Sequence, residues 1–152
     1  MVRLQYQSGD FAHKGSVLLE AWPAERADED AIRALREAFA VGARRTALQD
    51  LRFLIDELVE IAARALSPGV NDPFTANSCL DWLGAAMADL ARRDLPSRLR
   101  AHDDGALRVI AHPVTFQDFV DRAFGALAQY VSDSAARRAA RTDAVTAEAR
   151  SR

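Results

Sequence analysis

Thr46-Ala-Leu-Gln-Asp-Leu-Arg-Phe-Leu-Ile-Asp-Glu-Leu-Val-Glu-Ile-Ala-Ala-Arg-Ala-Leu66 runs directly into Ser67-Pro-Gly-Val-Asn-Asp-Pro-Phe-Thr-Ala76. At about 100° per residue, Leu48, Leu51, Leu54, Ile55, Leu58, Val59, Ile61, Ala62, Ala65 and Leu66 share one half of a helical wheel. Gln49, Asp50, Arg52, Asp56, Glu57, Glu60 and Arg64 fill the other half. That division marks an amphipathic helix over about 46–66, with Thr46 and Gln49 spaced as a capping box. Phe53 is the large apolar residue left on the polar half.

The ten residues after this helix form a built connector. Pro68 and Pro73 each fix φ near −65°, and Gly69 supplies backbone freedom. Asp72 stands where an N-cap belongs, with Pro73 in the first helical position. A second long helix is therefore predicted over about 73–92, carrying Leu80, Leu83, Met87 and Leu90 on one stripe. Trp82 lies about a hundred degrees off that stripe.

Outward from this pair, Val2, Leu4 and Tyr6 alternate with polar residues, the period of a half-buried strand. Ser8-Gly-Asp10 signals a turn, and Val17-Leu18-Leu19 is a second short run. Ile32, Leu35 and Phe39 predict a helix over about 29–41. Arg98–His102 and Ala106–Ile110 flank Asp103-Asp104-Gly105, a hairpin signal that places His102 across from Leu107. Thr115 with Asp118 opens a last helix over about 116–131.

The expected fold is α+β and predominantly α-helical: about four helices, an N-terminal β piece and one β-hairpin at about 98–110. Three segments are expected: a short β segment over 2–24, a helical core with the hairpin inserted over 28–131, and an Ala/Arg-rich tail over 132–152.

Composition narrows the function classes. A chain of 152 residues that is 49% hydrophobic can bury a core. Twenty basic residues against 22 acidic ones leave a net charge of −2, which favours no nucleic acid. The lone Cys79 excludes an internal disulfide and multi-cysteine zinc sites. No apolar run reaches the roughly 18 residues of a membrane span, and Met1–Tyr6 lacks a signal-peptide core. These features predict a cytoplasmic chain.

The run Leu58-Val-Glu-Ile-Ala-Ala-Arg-Ala-Leu-Ser-Pro-Gly-Val-Asn-Asp-Pro-Phe-Thr-Ala76, preceded by Arg44-Arg-Thr-Ala-Leu-Gln-Asp50, resembles a known pattern. It is similar to the soluble C-terminal region of an uncharacterised family of predicted bacterial membrane proteins. The Asp-Gly hairpin and Thr115-Phe-Gln-Asp-Phe-Val120 also fit, so the likeness covers about Gly9 to Tyr130. The resemblance implies a shared fold and a membrane-attached setting, with an upstream membrane segment or a membrane protein as partner. It implies no chemistry and no cofactor.

Two sets of residues are candidate sites. Ser67, Asn71, Asp72 and Thr75 surround a helix N-terminus that either holds an anion or is satisfied by its own cap. Asp50, Glu57 and Arg64 recur every seven residues along one helix edge, whose carboxylates either meet a cation or pair with Arg44 and Arg45 near the helix start. Phe53 and Trp82 are candidate interface residues, which would suit a homo-oligomer. His13, His102 and His112 form no His-x-x-x-His pair, no Gly-rich phosphate loop is present, and no metal site is expected. The leading reading is a non-enzymatic assembly or regulatory module. The alternative is a small-ligand or metal-dependent enzyme whose Asp50, Glu57, Asn71 and Asp72 converge in a pocket.

Overall fold

The computed structural model describes residues 1–132, so the tail expected over 132–152 falls outside the described residues apart from Ser132. The fold is α+β, with four helices and a four-stranded sheet among those residues. The chain forms two compact units, each drawn from two separated stretches: Met1–Phe53 with Asp94–Thr115, and Leu54–Arg93 with Phe116–Arg152.

The sheet lies in the first unit, in the order β2-β1-β4-β3. Strand β1 (Val2–Leu4) pairs antiparallel with β2 (Leu19–Ala21), setting Val2 opposite Ala21 and Leu4 opposite Leu19. The paired strand thus starts two residues later than the Val17 run suggests. The hairpin β3 (Leu99–Ala101) and β4 (Leu107–Ile110) joins the same sheet through a parallel β1–β4 pairing, with Val2 opposite Val109. The expected register holds at Leu99–Ile110 and Arg100–Val109 but slips at the tip, where Ala101, not His102, faces Leu107. Arg108 is the extra residue of that bulge, which arises because the loop closes through His102 N–H to Ala106 O at 2.9 Å. The first unit also holds α1 (Glu29–Glu37), capped by Asp28, whose carboxylate accepts the Ala31 N–H at 2.8 Å. The helix stops short of residue 41 because the Phe39 N–H bonds to Arg36 O, the tighter spacing that ends a helix.

The second unit is helical. Its core comes from Ile55, Ala62 and Ala65 of α2 (Leu51–Ala65) and from one stripe of α3 (Pro73–Leu90). That stripe is Ala76, Cys79, Leu83, Met87 and Leu90, at the spacing of a single helix face. Phe119, Ala123 and Leu127 complete the core. The predicted last helix begins as α4 (Phe116–Val120), widens into a π-helical turn at Asp121–Gly125, and is helical again over 126–132. Arg122 in the widened turn donates to both Asp56 carboxylate oxygens, at 2.5 and 2.8 Å.

Helix α2 begins at Leu51, not at Thr46. Leu48, placed by periodicity on the buried half, is 91% exposed as a result. The reason lies in Asp50.

Candidate functional site

Asp50 is the buried charged residue among the described residues, 4% exposed. Its Oδ1 accepts the Phe53 N–H at 3.3 Å, the bond of an N-cap, so the helix starts one residue later. Its Oδ2 receives two bonds from Arg45, Nε at 2.9 Å and Nη2 at 2.7 Å. Arg52 Nε stands 3.5 Å from Oδ1. With both oxygens committed in this way, the residues between Arg45 and Asp50 close a turn instead of starting a helix, and the Thr46–Gln49 capping box does not form.

The cluster extends to the Ser8–Asp10 turn. Arg52 Nη2 donates to Ser8 O at 2.5 Å and to Asp10 Oδ1 at 3.1 Å, while Asp10 Oδ2 accepts the Gln7 N–H at 2.8 Å. Gly9 has φ +87°, and a Cβ there would overlap Asp50 Oδ2 and stand 2.5 Å from its Cγ. Only glycine suits a left-handed backbone pressed against a carboxylate. The Arg45 guanidinium also lies 5.2 Å from the centre of the Phe53 ring, which explains an aromatic on the polar half of α2. Two aspartates and two arginines neutralise one another here. The buried carboxylate is bonded through both oxygens, to Arg45 and to the Phe53 N–H, an arrangement that orients the chain at the start of α2.

The other expected members of this edge lie elsewhere. Arg44 and Glu57 are exposed, and Arg64 pairs with Glu60 one turn away on the surface. Asp50 and Arg45 meet as expected, and neither Glu57 nor Arg64 joins them. Among the described residues no group of three His, Cys, Asp or Glu side chains is placed to hold a metal ion, and no buried side-chain nitrogen or oxygen lacks a hydrogen-bond partner.

The connector, in the second unit, is a closed hydrogen-bond circuit. Asp72 caps α3: its Oδ1 accepts the N–H groups of Phe74 (3.1 Å) and Thr75 (3.2 Å), and its Oδ2 accepts the Thr75 hydroxyl at 2.6 Å. The Asp72 N–H returns to Ala65 O at 2.8 Å, and Ser67 O accepts the N–H groups of Val70 and Asn71. The left-handed position is Asn71, φ +48°, and not Gly69. Asparagine tolerates that region because its short polar side chain can bond locally. Asp72 thus occupies the positive helix end that an anion would need.

The Thr75 hydroxyl, then the Thr75 and Phe74 N–H groups, hold the Asp72 carboxyl below its ordinary value of 3.8. A carboxyl depressed in the folded state contributes stability above its unfolded pKa and loses it as pH falls through the folded one. Asp72→Ala is therefore expected to lower the melting temperature by a few degrees at neutral pH. The gap between the two proteins should narrow below about pH 3.8. Thermal scans from pH 2.5 to 7 check both parts.

At both candidate sites the described residues form built turns and caps: Asp50 with Arg45 in the first unit, Asp72 with Thr75 in the second. The chain can be set beside known proteins. It matches the family described as predicted membrane protein (DUF2254) over residues 1–144. The chain belongs to that family. Two mycobacterial relatives, uncharacterized protein Rv1290c of Mycobacterium tuberculosis (strain ATCC 25618 / H37Rv) and uncharacterized protein Mb1321c of Mycobacterium bovis, are each 38% identical to it over 104 residues. The match takes in 65% of this chain and 20% of either relative, so the chain spans about a fifth of the length of these relatives. No solved structure matches it. Among the described residues no helix is long and apolar enough to cross a membrane.

The sequence did not point to Gly9, Asp10 or Arg52. Ser8-Gly-Asp10 reads as an ordinary turn, and its link to Arg52 spans 42 residues, beyond any local spacing rule.

Proposed function

We propose that this chain is a non-catalytic assembly or regulatory module of a DUF2254 membrane protein, working on the cytoplasmic side. Its partner is then the membrane-embedded part of the protein, with a second copy of the chain as a further contact. One observation carries this reading. Helix α3 is apolar on more than its buried stripe: Phe74 is 83% exposed and Trp82 is 69% exposed. Large exposed aromatics beside a buried stripe mark contact surfaces. The polar side chains of the connector meanwhile serve its own turns. In the same reading the Ser67–Ala76 run is the family's signature turn, kept to aim α3 rather than to bind a ligand.

The enzyme alternative has less support, because Asp50 is neutralised by arginines and Asp72 is consumed by its own helix. The test is co-expression of the chain with the remainder of a longer relative such as Rv1290c, lacking the 104 matched residues. The wild-type chain should sediment with the membrane fraction. Trp82→Asp should release it into the supernatant while its melting temperature stays within about 2 °C of wild type, since the site is on the surface. Equal release of both proteins contradicts the proposal.

A further inference from the structure

In the first unit, β2 is an edge strand with one side unpaired. Met1 and Trp22 exchange backbone bonds, the Gln5 N–H reaches Leu18 O at 2.9 Å, and Arg3 stands opposite Glu20. These pairings turn the backbone groups of Leu18, Glu20 and Trp22 toward β1. Alternation along an antiparallel strand then turns the N–H and C=O groups of Leu19 and Ala21 outward.

Leu19 and Ala21 also line an apolar cavity of about 360 Å³, whose facing wall is Ile32, Leu35 and Phe39 of α1. That volume lies in the range of ligand-binding clefts. Helix α1 buries none of its residues, so its apolar stripe faces a trough and not a filled core. Arg36 is the charged residue of the wall, and it has no ion-pair partner among the described residues.

An open edge beside an apolar trough is the geometry of strand addition, in which main-chain bonds give affinity and alternate side chains enter pockets. An acyl chain would fill the trough and leave the outward donors and acceptors of Leu19 and Ala21 to water. A peptide satisfies both. We propose that an extended peptide of a partner protein, with apolar residues at alternate positions and one acidic residue set to meet Arg36, adds to the open edge of β2. This inference rests on the assembly reading and names a second contact surface for it, in the unit that does not contain Trp82.

The test is to pan a phage library of random twelve-residue peptides on the immobilised chain and synthesise the best binder. Enriched peptides should alternate apolar residues and carry an Asp or Glu. Arg36→Glu, a surface change that leaves the melting temperature intact, should weaken the binder about tenfold or more. N-methylation at one alternate set of its amides should abolish binding, and methylation of the other set should not. The proposal is overturned if no peptide is enriched. It is equally overturned if binding ignores both Arg36→Glu and N-methylation, or if decanoate saturates the trough and displaces the peptide from wild type and Arg36→Glu alike. Those outcomes leave the membrane co-sedimentation of the Trp82 test untouched, so the two readings fail separately.

Discussion

Asp50→Ala is expected to destabilise the protein by about 3 kcal/mol, the scale for breaking a buried ion pair from one side. Three losses combine. The variant removes the N-cap of α2, leaves the half-buried Arg45 without its carboxylate, and frees Arg52 from one of its two acidic neighbours. Arg45 can partly recover by turning toward water, since its side chain is 31% exposed, which keeps the loss from the upper end of the range. For a chain of this length the change corresponds to a fall of about 6–12 °C in melting temperature. Asp50→Asn should recover part of it, because the amide oxygen can still accept the Phe53 N–H while the charge pairing is gone. Chemical denaturation of the three proteins checks the order. A variant within about 0.5 kcal/mol of wild type would show that the cluster carries no structural load and reopen a functional reading of Asp50.

Gly9→Ala is expected to cost about 2–4 kcal/mol. Part is backbone strain, about 1–2 kcal/mol for a side chain in the left-handed region. The rest is the overlap of the new Cβ with the Asp50 carboxylate, which cannot retreat without releasing Arg45. The two contributions separate in a double-mutant cycle. With Asp50→Ala in place the overlap vanishes and the strain stays, so the double variant should be at least about 1 kcal/mol more stable than the sum of the single changes predicts. Strict additivity would mean that Gly9 and Asp50 do not touch.

What was legible in the sequence was local. The amphipathic wheel of α2, the Asp72 cap with Pro73 behind it, and the Asp104-Gly105 hairpin each depend on residues a few positions apart, and each forms. The α+β class follows from the same signals. Competition between local signals was harder to read. Thr46 with Gln49 fits a capping box, yet Asp50 wins because Arg45 and the Phe53 N–H together hold its carboxylate. Gly69 looked like the flexible joint of the connector, yet Asn71 takes the left-handed position. Contacts between distant segments were not legible at all. Nothing in Val2–Leu4 announces a parallel partner at Val109 and Ile110, and the turn at Ser8–Asp10 gives no sign of Arg52. The π-helical turn at Asp121–Gly125 is equally silent, since an i→i+5 bond leaves no distinct apolar period in so short a segment.

For the candidate site the division is the same. Asp72, Thr75 and the Arg45–Asp50 pair were readable because cap and ion-pair partners lie within five residues. Phe53 stands out in the sequence as an aromatic on the polar half of α2, and the Arg45 guanidinium lies over its ring. Trp82 is the residue on which the assembly reading now turns.

Site-specific photocross-linking from position 82 tests that reading most directly. A benzophenone side chain placed there, in cells that also carry the membrane part of a DUF2254 protein, should give an adduct with that membrane part or with a second copy of the chain. The same group at Arg93, an exposed position of the second unit paired to Asp89, should give none. A strictly unlinked chain at position 82, or equal labelling from both positions, would contradict the account and return α3 to the status of an ordinary exposed helix.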